Sequence, residues 1–395
     1  MTERMKVTLL AGGGGDVYYE LGLCSGLVAA GIHVNYIGSD SMSNAKILRN
    51  ENVTFFNLRG SQDPNVSRKE KGLRIARYYF RLMKYAWETD STLFHIQWPN
   101  KFVTFDRTLL NLYYKMLRKK LIFTAHNVNA GIRDGNDSVF NRVTLRFMYK
   151  MMNHIIVHTD KMKEQLLEGF EIEPGKVTVL PFGVNNMVFQ SDLTPKEAKE
   201  KLGLGNDEKT MLFFGIITPY KGMEYLLRAL VLCREKLAPL RLIIAGKIDQ
   251  NAKEYWEDMQ GIINKYNLAE CLVSKIEYIP DEDLEVYFKA ADVLVLPYKY
   301  IFQSGVLFLS YNFGLPVIAT DVGSLRDFIV EGKTGFVCMP EDPEDLAKKI
   351  AQYCASDLYR NLESSRVEII NLSKEKYSWE RIGEKTRAVY SSLMN

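Results

Sequence analysis

The sequence predicts an α/β protein built from two Rossmann-like, doubly wound parallel-sheet domains in series, and three observations carry that expectation. The chain has 395 residues, about twice the usual length of one domain. Short β-rich runs alternate with helix-length amphipathic segments, the pattern of parallel strands joined by helical crossovers. The alternation lapses once, over a polar, lysine-rich stretch at 185–210, and then restarts.

In the first half, residues 6–11, 34–40, 53–58, 92–98, 121–126, 155–159 and 177–181 read as strands. Each is rich in β-branched or aromatic residues. The stretch at 185–210 reads as an interdomain connection. Beyond it, 211–215, 242–246, 276–279, 293–297, 317–320 and 336–338 read as buried strands. The expected boundaries are 1–184 for the first domain and 185–377 for the second.

Composition supports a folded chain: 47% hydrophobic and 25% charged, with 12 prolines, excludes long disordered or fibrous segments. The N-terminal residues show no long apolar h-region with a cleavage site, so export is not expected. No run of about eighteen apolar residues suggests a membrane span. The cysteines, Cys24, Cys233, Cys271, Cys338 and Cys354, are scattered without paired spacing. They read as thiols in a reducing cytoplasm, with no disulfide frame or metal knuckle.

Charge is uneven. Residues 1–185 carry +8 and the remainder −5, which suits an anionic partner or surface on the first half, or simply an uneven spread of solvated charge. Within 71–87, Arg74, Arg77, Arg81 and Lys84 recur at spacings of three and four beside Tyr78, Tyr79, Phe80 and Tyr85. Such a helix suits anionic lipid headgroups at the inner face of a membrane, or stands as a solvated surface helix. Nothing matches a nucleic-acid reader module, so no nucleic acid is expected as a partner.

In open α/β sheets, ligands collect beyond the carboxyl ends of the strands, so chemistry is sought just after each strand. The first strand runs into Gly12, Gly13, Gly14, Gly15 and Asp16 before a helix near Val17. Glycines there permit close backbone approach, and a helix N-terminus offers amides to an acceptor or a phosphate. A dinucleotide fingerprint needs a third glycine where Val17 stands. The second domain opens with Phe214, Gly215, Thr218, Lys221 and Gly222 ahead of a helix at Met223. A glycine and a lysine at such a turn suit a diphosphate. Further on, Gln303, Ser304, Gly305 and Val306 form a small, hydrogen-bonding turn at another helix start.

The ordered set of the Gly-rich first loop, Thr124-Ala125-His126-Asn127, Phe214-Gly215 through Lys221-Gly222, Ala290-Ala291-Asp292-Val293 and Phe313-Gly314-Leu315-Pro316 resembles the GT-B-fold retaining glycosyltransferases of family four, the glycosyl transferases group 1. The likeness extends through Glu331-Gly332-Lys333-Thr334-Gly335 to Tyr377-Ser378-Trp379-Glu380. It implies two facing domains, with a C-terminal helix at 378–395 crossing back to the first. It also implies a sugar transferred from a nucleotide-diphosphate donor, a UDP- or GDP-sugar, to a saccharide or lipid-linked acceptor. A role in surface polysaccharide biosynthesis goes with that.

By position, His126 resembles the family's cleft histidine near the donor sugar, where it would donate a hydrogen bond or stabilise leaving-group charge. Donor contacts would come from Gly215, Thr218, Lys221, Gln303, Ser304, Gly305 and Val306, and the acceptor side from Gly14, Gly15 and Asp16. His95 is a weaker candidate, and His158 reads as structural. Two departures stand out. The family's glutamate pair falls on Ile301 and Leu309, and its diphosphate arginine is missing between Gly215 and Lys221. These losses keep a second expectation open, a non-catalytic binding or regulatory protein of the same fold. No cofactor and no metal are expected. Asp281-Glu282-Asp283 follows Pro280 at a predicted helix start, where acids complement the dipole.

Overall fold

The computed structural model describes residues 5–11, 16–63, 65–133, 137–184 and 190–394. The chain divides into two compact units, Met1–Gly183 with Tyr377–Asn395, and Val184–Lys376.

Unit 1 is built on a seven-stranded sheet ordered β3-β2-β1-β4-β5-β6-β7, every pairing parallel. Its strands are β1 (Lys6–Leu10), β2 (His33–Gly38), β3 (Val53–Asn57), β4 (Leu93–Ile96), β5 (Lys120–Thr124), β6 (His154–Val157) and β7 (Val177–Val179). Its main helices are α1 (Val17–Ala29), α2 (Arg68–Glu88), α3 (an unbroken run at 103–116 whose middle turn, Asp106–Leu110, is π-wound), α4 (Val139–Met151) and α5 (Asp160–Phe170). Hydroxyl caps set several starts. Ser67, Ser138 and Thr159 accept from the amides of Glu70, Asn141 and Met162, which the first helical turn would otherwise leave unpaired.

The period-two alternation of β1 sorts its two faces. Val7 and Leu9 enter a core with Leu23 and Leu27 of α1, while Thr8 meets the Tyr85 hydroxyl of α2 at 2.8 Å.

Unit 2 repeats the plan with six parallel strands ordered β10-β9-β8-β11-β12-β13. They are β8 (Lys209–Phe214), β9 (Leu240–Ala245), β10 (Leu272–Lys275), β11 (Val293–Leu296), β12 (Val317–Thr320) and β13 (Gly335–Cys338). The main helices are α6 (Pro195–Lys201), α7 (Met223–Cys233), α8 (Lys253–Lys265), α9 (Leu284–Ala290), α10 (Gly305–Asn312), α11 (Pro343–Ala355) and α12 (Leu362–Tyr377). A last helix, α13 (Trp379–Met394), returns to unit 1 and packs along α1.

Glycines make that return fit. A Cβ on Gly22 or Gly183 would collide with the Trp379 indole, and one on Gly26 or Gly383 would collide with the backbone of the facing helix. Trp379 itself is fully buried.

Two expectations change. The strand read at 276–279 lies four residues earlier, at Leu272–Lys275. It is an edge strand with exposed Ser274 and Lys275, so its composition hides it, whereas Ile276 to Ile279 only looks like a strand. The lysine-rich connection at 185–210 also contains α6, a folded part of unit 2. Its start is a reciprocal capping box between Thr194 and Glu197. The buried Lys199 ammonium donates to the Glu208 carbonyl at 2.8 Å and pairs with Asp292 at 3.2 Å. Asp292 also accepts the Thr210 amide at 2.7 Å. The acid of the Ala-Ala-Asp-Val motif is therefore a structural tie.

Candidate functional site

Each sheet reverses its winding once, between β1 and β4 in unit 1 and between β8 and β11 in unit 2. The strand tips part there, and open α/β sheets bind ligands at such points.

In unit 2, β8 runs straight into Gly215, whose φ of +97° favours glycine. Its neighbour at the tip of β9 is Gly246, where a Cβ would collide with the Gly215 carbonyl. The chain then turns through Thr218 and the short 3-10 turn Pro219–Lys221 into Gly222. Gly222 has φ +66° and presses against the Pro297 carbonyl just beyond β11, so a side chain has no room there. This packing folds Lys221 back under the strand tips. Its ammonium lies 3.2 Å from the Phe214 carbonyl oxygen, to which it donates. It also lies 5.7 Å from the Tyr298 ring centre and 5.9 Å from that of Phe213. Lys221 is only 5% exposed, and among the described residues no carboxylate pairs with it. Burial without a counter-charge pulls its pKa down to about 8.

The 303–306 turn meets the same spot. Ser304 is buried and bonds the Tyr298 hydroxyl instead of capping α10. The amides of Gly305 and Val306 open the helix and have no helical carbonyl to meet. A Cβ on Gly215 would lie 2.7 Å from the Lys221 ammonium and 3.8 Å from a Val306 methyl. Gly215, Lys221, Tyr298, Ser304 and Val306 therefore converge. Gln303 Oε1 and Thr218 Oγ1 are buried with no hydrogen-bond partner among the described residues. Ile301 is held by its carbonyl against Gly323, and Leu309 is buried in α10. Hydrocarbon thus stands at both expected carboxylate positions.

In unit 1, Gly14 and Gly15 lie outside the described residues. Asp16 caps α1, its carboxylate accepting from Tyr18 N at 3.0 Å and Tyr19 N at 3.2 Å. These are the amides a phosphate would use, and an anion already holds them, so the phosphate reading of this helix start does not fit. Burial raises the Asp16 pKa.

His126 follows β5 and lies flat on Trp98, which follows β4, with ring centres 3.8 Å apart and planes 2° from parallel. Tyr19 meets its ring edge-on at 4.6 Å. The Nδ1 of His126 is 3.0 Å from Nε2 of His158, and His158 Nδ1 is 3.0 Å from the Leu180 carbonyl oxygen. A carbonyl only accepts, so His158 carries its proton on Nδ1. Its Nε2 then accepts from His126 Nδ1–H. The Nε2 of His126, which has no partner among the described residues, is left with a lone pair. Burial, with His158 and His95 nearby, holds the His126 pKa well below the usual range. In this tautomer the Nε2 of neutral His126 offers a lone pair rather than the N–H of the donor role that the resemblance suggested.

His158, read as structural, is buried and also fixes that tautomer. His95 is closed off: it meets the Tyr390 hydroxyl at 2.6 Å and the Thr124 hydroxyl at 2.7 Å, and burial lowers its pKa to about 3. It ties β4 and β5 to α13. Trp98, Tyr298 and Gly246 were not picked out from the sequence. Their only signal in the sequence is their place at the end of a strand-like run.

Two doubly wound units, with a lone buried ammonium at one switch point and an imidazole with an unpartnered nitrogen at the other, define a two-domain α/β architecture of the Rossmann-like class. Comparison with known proteins makes this specific. The chain matches the family profile Glycosyltransferase Family 4 over residues 12–186 and Glycosyl transferases group 1 over residues 195–370. It belongs to the group 1 glycosyltransferases. It is 29% identical over 250 residues to an uncharacterized glycosyltransferase of Methanocaldococcus jannaschii, covering 61% of this chain and 60% of that one. It is 28% identical over 247 residues to a D-inositol 3-phosphate glycosyltransferase of Streptomyces avermitilis, covering 61% and 52%. The matched region spans about half to two thirds of the length of these curated relatives. Among solved structures, sucrose-phosphate synthase from Thermosynechococcus elongatus superposes with TM-score 0.74 at 20% identity, covering 99% of both chains. Anabaena HepE in complex with UDP-glucose gives TM-score 0.72 at 15% identity, covering 98% of this chain and 100% of that one. The fold is GT-B.

Proposed function

We propose that the protein transfers a sugar from a nucleotide-diphosphate donor, a UDP- or GDP-sugar, to a saccharide or lipid-linked acceptor, with retention at the transferred carbon. Unit 2 binds the donor and unit 1 presents the acceptor. The observation that carries this reading is Lys221, a buried ammonium with no carboxylate partner. Such a charge is costly to bury alone, so its site is complete only with an anion. The open amides of Gly305 and Val306 and the close approach allowed by Gly215 suit a diphosphate. HepE binds UDP-glucose on the same fold.

Charge on the departing diphosphate falls to Lys221 and the α10 amides, a task that needs no metal. Turnover unchanged by EDTA is expected, and loss of turnover restored by a divalent cation would contradict it. The lone pair of His126 accepts from a sugar hydroxyl and so orients the sugar. Titration calorimetry with UDP-glucose and GDP-mannose tests the donor reading. Binding of either, weakened in Lys221→Ala, is expected, with a loss of roughly 2–4 kcal/mol in transition-state stabilisation. The place of Ile301 and Leu309 favours one second reading, a non-catalytic regulator of the same fold. No binding of either donor by the wild-type chain would select it. The cytoplasm, and a step in surface polysaccharide synthesis, fit a donor of this class; among the described residues no helix is long and apolar enough to cross a membrane.

A further inference from the structure

On the sheet face that meets Thr8 rather than Val7, the helices α2, α3 and α4 form one layer. Tyr113 of α3 donates to the Met83 carbonyl of α2 at 3.0 Å, and Arg107 of α3 donates to Asn141 and Thr144 of α4 at 2.7 and 3.2 Å. The inner side of the layer is ordinary core, with Tyr78, Leu82 and Tyr85 of α2, Tyr114 of α3 and Met148 of α4 buried.

The outer side is unusual for a solvated surface. On α2, Phe80 and Trp87 are 72% and 71% exposed, in the same stripe as Leu73, Arg77 and Lys84. On α3, Leu109, Leu112 and Met116 share one exposed face, Met116 at 74%. On α4, Phe140, Val143 and Phe147 do the same, Phe140 at 65%. Of the aromatic residues first placed beside the α2 cations, Tyr78, Tyr79 and Tyr85 point inward, and only Phe80 lies outside. Solvation accounts for the arginines but not for three aligned apolar stripes.

The charge on the layer selects the occupant. Across Arg68–Glu88, 103–116 and Val139–Met151 there are twelve Lys and Arg against three acids. One of those acids, Asp106, is buried among hydrogen bonds to Tyr79 and Asn100. A second copy of the chain on this face would bring like charge onto like charge across a two-fold axis. An anionic bilayer satisfies both features: aromatic and aliphatic side chains enter at headgroup depth, and Arg and Lys meet phosphates. Arg77 and Arg81 carry no ion pair among the described residues and are free to do so.

We infer that the α2–α3–α4 face of unit 1 docks on anionic lipid membranes. This goes beyond the proposed transfer reaction and does not depend on it, since binding is read without any donor or acceptor.

Co-sedimentation of the full chain with phosphatidylcholine vesicles, with and without phosphatidylglycerol, tests it. Binding is expected with phosphatidylglycerol, weakening as salt rises, and at least about tenfold weaker without it. Reversing Arg77, Arg81 and Lys84 to glutamate should lower affinity by about a hundredfold or more. Phe80→Ser with Trp87→Ser, and Phe140→Ser with Phe147→Ser, should each lower it by about tenfold or more. Quenching of Trp87 by brominated lipids in the wild-type chain, absent in Trp87→Phe, gives a reading that no folding defect can imitate. Binding unchanged by these substitutions, equal binding to neutral vesicles, or no quenching would overturn the inference. So would a dimer in sedimentation equilibrium that Phe140→Ser with Phe147→Ser dissolves, because a second copy would then cover the face.

Discussion

The Nε2 of His158 stands 3.0 Å from the Nδ1 of His126, and that contact decides which nitrogen of His126 is left with an unpartnered lone pair. Burial lowers the His158 pKa to about 4 and holds that of His126 well down, so both rings stay neutral near neutral pH. Nitrogen-15 spectra should show His126 as the Nδ1–H tautomer, with no titration between about pH 6 and 8. His158→Gln preserves the order, its amide donating to the Leu180 carbonyl and its carbonyl accepting from His126, and should keep the tautomer. His158→Phe removes the acceptor and should release Nε2–H. A merely structural His158 would leave the tautomer alone in both. His126→Ala is expected to lower turnover by about tenfold, the loss of one neutral hydrogen bond to the sugar.

Lys221 should be a stability cost in the empty protein. Its pKa falls from 10.5 in the unfolded chain to about 8 when folded. The charged form is therefore the disfavoured one: the penalty is full below about 8 and vanishes above 10.5, where the lysine is neutral in both states. Lys221→Met fills the same space without charge. It should raise unliganded stability by roughly 1–3 kcal/mol at neutral pH, with the gain fading as pH rises. The same substitution should abolish measurable UDP binding. Wild-type affinity for UDP should also weaken as pH climbs past about 8, because binding then has to restore the proton. Chemical denaturation across pH, beside calorimetry, checks both.

How far the sequence reaches depends on what each residue does. Strands buried on both faces, such as Val293–Leu296, announce themselves as apolar runs, and the glycine and lysine of the 215–222 turn mark a strand tip unaided. The edge strand Leu272–Lys275 does not, because half of it faces solvent. A tautomer cannot be read from order in the chain either: His126 and His158 are 32 residues apart and meet only because β5 and β6 are neighbours. Asp16 shows the opposite failure. Its type and place suited a ligand loop, and only the geometry reveals a cap.

Leu309 predicts an unusual indifference to the ribose. The family resemblance implies a glutamate at that place holding the ribose hydroxyls with charged hydrogen bonds, worth about 1.5–3 kcal/mol. A buried leucine offers none. The affinity for UDP should therefore exceed that for 2′-deoxy-UDP by less than about threefold, whereas the charged bond would give tenfold or more. Calorimetry with the two nucleotides measures the ratio, and a large preference for the ribose form would mean that another group has taken over the contact.

The seam between α1 and α13 predicts two glycine substitutions with opposite signs. Gly26 lies backbone to backbone against Gly383 and the Trp379 carbonyl, with no side chain between that could swing aside. Gly26→Ala must push the helices apart, loosening the pocket around Trp379, and should cost about 1–3 kcal/mol. Gly169 in α5 has nothing within 4 Å of where a Cβ would sit. There, alanine only removes freedom from the unfolded chain and should stabilise by about 0.5–1 kcal/mol. Urea unfolding of the two variants beside the wild type separates the effects. Equal midpoints would mean that the α13 return is too soft to register one added methyl group, and that the fit at Trp379 does not hold the last helix to unit 1.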